Sequence, residues 1–153
     1  MKKSVKTESV VKVFNLIKDA KYSKMSDADK LAIFKIFKAI KAIAEAFTNE
    51  VNDARQKLVP YEEFMSDLAK AQAFEVARSK KEECAEMTEE EYNEFIQKFV
   101  QYNKLVNEAV KDSASKEVEL DFDRLTQEAF DKLVLSNNWT FAQTEDIEAF
   151  VCQ

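Results

Sequence analysis

The chain has 153 residues, of which 46% are apolar, and it contains no glycine, no histidine and one proline. Glycine builds phosphate-binding loops, and histidine is the usual general base and metal ligand near neutral pH. These absences therefore exclude P-loop and dinucleotide fingerprints, Ser-His-Asp triads and histidine-based metal sites. Glycine and proline are the usual turn-forming residues, and their scarcity predicts an all-α protein.

The net charge is −6, but the charges are unevenly distributed. Residues 1–41 carry 11 Lys or Arg against 4 Asp or Glu, whereas residues 112–153 carry 3 against 10. The early lysines alternate with Val, Phe and Ile, and no arginine precedes Arg55, which favours a solvated helix face over nucleic-acid binding. A basic and an acidic end can instead guide antiparallel packing or head-to-tail association.

A first amphipathic helix is predicted from about Lys6 to Lys21. Its apolar residues recur at helical spacing: Val10, Val13, Phe14 and Ile17. Ser26 is then a predicted N-cap of the next helix, because Asp27 and Asp29 follow it in a first turn where carboxylates are favourable.

Residues 31–47 form the most apolar part of this second helix. Its polar side chains fall within about 120° of the helix circumference: Lys35, Lys38, Lys41 and Glu45. A surface helix needs only an apolar stripe, so this segment is expected either to be the central helix of a bundle or to lie partly in an oligomer interface. An apolar line continues to Leu58, which predicts a helix of roughly 30 residues.

Pro60 is expected to break or kink this helix and to occupy the first position of the next one. Farther along, Thr88 and Glu91 have the spacing of a capping box. The helix that it opens carries large apolar residues on one side: Tyr92, Phe95, Ile96, Phe99, Val106 and Val110.

The C-terminal part combines an extended segment with two short helices. Residues 118–122 alternate apolar and acidic side chains, which is typical of a strand. No partner strand is evident, so this segment is expected to lie across the bundle, to pair with another subunit or to lead into the next helix. The helices are predicted at Leu125–Leu135 and Thr144–Val151, and Trp139 and Phe141 are expected to fold the tail back onto the long helices.

Together these elements predict an all-α bundle of long antiparallel helices with a short extended segment near 118–122 and two small C-terminal helices. We expect one domain, 1–153, with a long-helix bundle in 1–111 and an acidic C-terminal part in 112–153. Because glycine is absent, its turns are expected to use Ser, Asp and Asn.

Two carboxylate clusters invite a hydrolase or metal-binding interpretation: Glu89, Glu90, Glu91, Glu94 and Glu117, Glu119, Asp121, Asp123. The first lies at a predicted helix N-terminus, which favours the ionised form over a general acid, and the second lacks the turn glycine of a calcium loop. Cys84 and Cys152 are too far apart in sequence for a CxxC motif and are predicted to be ordinary thiols in a reducing cytoplasm. We therefore predict no catalytic residue, no cofactor, no metal and no enzymatic activity.

The order of features resembles a family of short helical proteins of unknown function encoded by tailed phages and prophages. The resemblance depends on the pattern Leu-x-x-Phe-x-x-Phe-Lys-x-Ile-Lys at 31–41, the acidic and apolar segment 117–121, and the short helices 125–135 and 144–151. It covers nearly the whole chain. The resemblance implies a phage-encoded, non-enzymatic protein from a virion-assembly or tail gene neighbourhood.

The remaining candidate functional features are apolar surfaces that a protein partner or a second copy can cover. The predicted interaction surface comprises seven residues: Phe34, Phe37, Ile40, Phe47, Val118, Leu120 and Phe122. The alanine-rich face 69–77 is a further candidate.

The leading hypothesis is a structural, assembly or adaptor protein that acts through protein–protein contacts, with self-association or another protein as partner. The alternative is a small acidic inhibitor or adaptor that binds a host protein. The chain has neither a recognisable secretion signal nor an apolar run near the ~20 residues of a membrane span. We expect no membrane partner and a location in the bacterial cytoplasm or associated with the virion.

Overall fold

A computed structural model describes residues 2–153. Within this range the chain forms two strands and six helices: β1 (Lys2–Lys6), α1 (Thr7–Lys18), α2 (Asp27–Lys57), α3 (Phe64–Ser79), α4 (Glu89–Ser115), β2 (Glu117–Asp121), α5 (Gln127–Leu135) and α6 (Phe141–Val151). The predicted all-α class is confirmed, as are the extended segment near 118–122 and the two small C-terminal helices.

The chain divides into two compact units. Unit 1 contains the described residues 2–49 together with 112–153, and unit 2 contains residues 50–111. Each unit has its own cluster of buried apolar side chains. The acidic C-terminal part is therefore built into the same unit as the basic N-terminal part of the chain.

The sheet of unit 1 joins the two oppositely charged ends. β1 and β2 pair antiparallel, and the register places Lys2 opposite Asp121, Ser4 opposite Glu119 and Lys6 opposite Glu117. These residues are exposed, and opposite charges on facing strands are mutually stabilising. The expectation that residues 118–122 lack a partner strand in this chain is wrong, because Val118 pairs with Val5 and Asp121 with Lys2, at the other end of the sequence.

The core of unit 1 is formed by one stripe from each of its long helices and by the two C-terminal helices. α1 contributes Val10, Val13, Phe14 and Ile17, as its spacing predicted. The buried residues of the C-terminal part are Leu120, Leu125, Ala129, Phe130, Leu133, Ile147, Phe150 and Val151.

Side-chain hydrogen bonds satisfy both ends of α6. At the N-terminus, the amide of Gln143 donates to Thr140 Oγ1 (3.2 Å), while Gln143 Oε1 accepts from the amide of Thr140 (3.0 Å). At the C-terminus, Lys3 Nζ donates to the carbonyl oxygens of Ala149 and Phe150, the second at 3.1 Å. Burial, followed by the nearby Arg124 cation, lowers the pKa of Lys3. The strand β1 therefore also fixes the end of the last helix.

Unit 2 is organised around Phe64, which is completely buried. Its ring lies 5.4 Å from that of Phe95 and 4.8 Å from that of Tyr102, and the Tyr102 hydroxyl donates to the carbonyl of Arg55 (2.6 Å). The predicted capping box is confirmed by reciprocal bonds between Thr88 and Glu91. The stripe of aromatic residues on α4 is thus core.

Two predicted turns differ from the structure. Pro60 follows the end of α2 at Lys57, but α3 begins only at Phe64, so Pro60 is not the first residue of that helix. Residues 61–63 form a turn instead, closed by the amide of Phe64 donating to the carbonyl of Tyr61 (3.2 Å). The second difference is Lys81, which occupies the left-handed region at φ 56° after α3, where Ser, Asp or Asn was expected.

Candidate interaction surface

The buried face of α2 in unit 1 is much narrower than its apolar arc. Only a single stripe is buried, formed by Ile33, Ile36, Ile40 and Ala44. Leu31 lies on the opposite side of the helix and Phe34 on its flank, and they remain 54% and 51% exposed. Within unit 1 this segment therefore buries one stripe and is not a central helix covered on all sides.

Beside this exposed edge lies an apolar groove of about 360 Å³. We call it the α1–α2 groove; it is lined by Ile17, Lys18, Tyr22, Lys30, Ile33, Phe34 and Phe37. The wall is built by ring stacking, since the Phe37 ring lies 5.0 Å from Phe14 and 6.3 Å from Phe34. The wall of the groove is therefore aromatic and belongs to the packing between α1 and α2.

The connector between α1 and α2 closes one end of the groove. The Tyr22 hydroxyl donates to the carbonyl of Ile17 (2.5 Å), which holds the ring against the end of α1. Burial raises the pKa of Tyr22, so the phenol stays neutral and keeps this bond. Tyr22 is therefore a structural wall of the groove.

The charges around the groove are basic. Lys18 and Lys30 line it, and Lys38 Nζ lies 5.9 Å from the centre of the Phe34 ring. Among the described residues that line the groove, none is acidic. Apolar walls beside ammonium groups match an apolar side chain that carries carboxylates next to it.

The structure separates the seven predicted surface residues into three groups. Phe34 is exposed, and Phe37, Phe47, Val118 and Phe122 are half-buried. Ile40 and Leu120 are 0% and 4% exposed, respectively, and belong to the core of unit 1, so they offer nothing to a partner in this structure. Their inward positions follow from the α2 stripe and from the alternation along β2.

Two further exposed apolar side chains lie at the α5–α6 corner, the segment 135–141 that joins the two C-terminal helices. Leu135 is 68% exposed and Phe141 is 92% exposed. Trp139 packs against the core as expected, but the expectation that Phe141 does so is wrong. Phe141 begins α6 on a different side from Ile147, which is why the helix buries one and exposes the other.

Acidic residues accompany both exposed side chains of the corner. Asp131 precedes Leu135 by four residues on α5, and Glu145 follows Phe141 by four on α6, so each acid shares a helix face with its apolar neighbour. Sequence periodicity did not identify these two pairs of neighbours. It indicates which residues share a helix face, but not which face a neighbouring element covers.

Unit 2 presents its exposed apolar residues singly: Met65, Val76, Val100 and Leu105. The groove beside Val100 is otherwise lined by polar and charged side chains, including Lys104 and Glu108. The alanine-rich face 69–77 contributes Ala71 to the core of this unit. Scattered apolar side chains of this kind are normal on protein surfaces.

The carboxylates and the two cysteines are the other side chains that could form a chemical site. Among residues 2–153, no group of three or more Cys, Asp or Glu is arranged to hold a metal ion. Cys84 and Cys152 are free thiols, and burial raises the pKa of Cys152. Within the same residues, no helix has the length and hydropathy needed to span a membrane.

Comparisons with protein-family models, with curated proteins and with solved structures found no match.

Proposed function

We propose that this chain is a non-enzymatic protein that acts through protein–protein contacts, as a structural, assembly or adaptor component of a tailed phage. The observation that carries the protein-contact part is the α1–α2 groove beside the exposed Phe34 and Leu31. An aromatic groove bordered by lysines suits a protein segment with apolar and acidic side chains. The phage part rests on the resemblance of the sequence pattern.

The alternative, an acidic inhibitor that imitates a polyanion, has less support. Glu117 and Asp121 face Lys6 and Lys2 across the sheet, so cations lie beside part of the acidic surface. Ser4 also donates a hydrogen bond to Glu117 Oε2 (3.1 Å). A polyanion mimic needs an acidic surface whose field is not offset by neighbouring lysines.

Site-specific photo-cross-linking in the cells that produce this protein tests the proposal. A photoreactive amino acid replaces Lys30 at the edge of the groove, and a matched variant carries it at Lys70, an exposed position on α3. We expect position 30 to capture the same protein repeatedly, either another copy or a different chain, and position 70 not to capture it.

Capture of a virion or assembly protein, or recovery of the chain in purified particles, supports the phage component. Repeated capture of one host regulator with no trace in particles favours the inhibitor. If position 30 captures nothing beyond the background seen at position 70, the proposed role of the groove is wrong.

A further inference from the structure

We propose that the occupant of the α1–α2 groove is the α5–α6 corner of a second copy of this chain. The corner offers Leu135 and Phe141, the two most exposed large apolar side chains of the described residues. The groove offers an apolar cavity of about 360 Å³, large enough for an aromatic side chain. This inference rests on the proposed function and names its partner.

Charge complementarity selects this occupant over other apolar surfaces of the chain. Asp131 and Glu145 flank the corner, where the cation of Lys132 is already paired with Glu128 (3.1 Å). Lys18 and Lys30 line the groove. Insertion of Phe141 brings carboxylates towards ammonium groups at the edge of a low-dielectric contact, where opposite charges attract more strongly than in bulk water. The groove beside Val100 in unit 2 lacks this match, because Lys104 and Glu108 line it with charges of both signs.

The two complementary surfaces lie near each other on one copy. Asn137, within the corner, accepts a hydrogen bond from the amide of Lys21 (2.8 Å) and donates to its carbonyl (2.9 Å). Ser136 Oγ also accepts from the amide of Lys24 (3.2 Å). Lys21 and Lys24 belong to the connector between α1 and α2, which also contains Tyr22, a residue that lines the groove.

Adjacent complementary surfaces permit a reciprocal dimer. A two-fold axis between two copies brings the corner of each copy to the groove of the other, so both contacts form together. The pair then closes at two chains, and each inserted Phe141 loses its exposure to water. Burial of a large aromatic side chain in this way is a typical source of interface affinity.

Sedimentation equilibrium of the purified full chain tests the proposal. We expect wild type to approach the mass of two chains as its concentration rises, and both Phe34→Glu and Phe141→Glu to weaken association at least about tenfold. Val100→Glu is the matched control, because it places the same charge at an exposed valine of unit 2 and should leave association unchanged.

An equimolar mixture of Phe34→Glu and Phe141→Glu provides the decisive comparison. The first variant keeps an intact corner and the second keeps an intact groove, so the mixed pair regains one of the two contacts. The mixture should therefore associate more tightly than either variant alone. Recovery of association also shows that both variants are folded.

Three results would overturn the inference: a wild-type chain that stays monomeric, a Phe141→Glu chain that associates like wild type, or a mixture that associates no more tightly than either variant alone. In each of these cases the cross-linking experiment at position 30 still decides separately whether the groove binds a different protein.

Discussion

At the scale of single residues, the absence of glycine leaves a lysine in the left-handed conformation at the end of α3. The amide of Glu82 donates to the carbonyl of Ala77 (2.8 Å) and that of Lys81 to the carbonyl of Arg78 (3.1 Å), which is the Schellman pattern of a helix end. This pattern requires a residue in the left-handed conformation. Lys81 takes that conformation here, which brings its Cβ close to the following carbonyl oxygen.

Lys81→Gly should therefore stabilise unit 2 by about 1 kcal/mol, since glycine adopts this conformation without the clash. Denaturant unfolding measures the change. Lys80→Gly is the matched control: Lys80 has an ordinary φ of −89°, so glycine there should lower the free energy of unfolding. Equal effects of the two substitutions would contradict this account of the turn.

A second residue-scale prediction concerns Tyr61, whose hydroxyl donates to Asp67 Oδ2 (2.8 Å). Burial, together with this bond and the Asp67 charge, raises the pKa of Tyr61 from 10.0 to about 12. The phenol binds its proton more tightly in the folded state, so its contribution to stability is complete below about pH 10 and is lost as the pH rises towards 12.

The difference in ultraviolet absorbance between wild type and Tyr61→Phe, followed against pH, isolates this group. We expect its phenolate to appear with a midpoint near 12, while circular dichroism at the same pH values reports whether the chain is folded. A midpoint near 10 in the folded protein would show that the bond to Asp67 does not hold the proton.

The helical spacing of α2 predicted a wide apolar arc, but it did not predict which part of the arc is buried. Phe34 and Ile40 both lie on the apolar arc of α2. Only Ile40 is buried, because the elements that cover it are distant in sequence. Phe141 is a similar case: its side chain is apolar like that of a core residue, but it lies on the exposed side of α6.

At the scale of elements, α6 shows how local and distant groups cooperate to define a short helix. The capping box of Thr140 and Gln143 is local, and it places the start of the helix three residues before the predicted one. The C-terminal bonds from Lys3 are contributed by a strand at the other end of the sequence.

Thr140→Ala should lower the stability of unit 1 by about 1 kcal/mol, because the amide of Gln143 loses its acceptor. Thermal or denaturant unfolding measures the effect. Thr140→Ser keeps the oxygen and should remain close to wild type, so a serine variant as unstable as the alanine variant would argue against the cap.

The strand β1 was missed for a different reason. Five residues containing three lysines and one valine lack a strand pattern by themselves, and their order depends on pairing with β2. The long helices could be predicted because their apolar spacing is local, whereas a two-stranded sheet between distant segments has no local signal.

At the scale of the whole molecule, the uneven charge of the chain acquires a structural explanation. The basic and acidic segments meet within unit 1, where they pair along the sheet and where Lys12 forms a 2.5 Å ion pair with Asp146. The same unit presents a basic groove and an acidic corner. Charge complementarity thus operates inside the chain and, in our proposal, between two copies.

Association between copies should therefore weaken as salt is added, because partly exposed ion pairs are screened. Exchanging the corner carboxylates for lysines, through Asp131→Lys with Glu145→Lys, should weaken it as well. Sedimentation equilibrium at low and high salt measures both effects. An affinity that salt leaves unchanged would mean that the contact is purely apolar and that charge does not select the partner.

The most direct measurement of the central claim is the fluorine NMR signal of 4-fluorophenylalanine placed at position 34 or 141, followed as the protein concentration rises. The account predicts that both signals shift along the same binding curve, because each ring enters the same interface. A matched label at Phe74 in unit 2 should stay constant. Signals at 34 and 141 that do not change over the whole range would contradict the proposed contact.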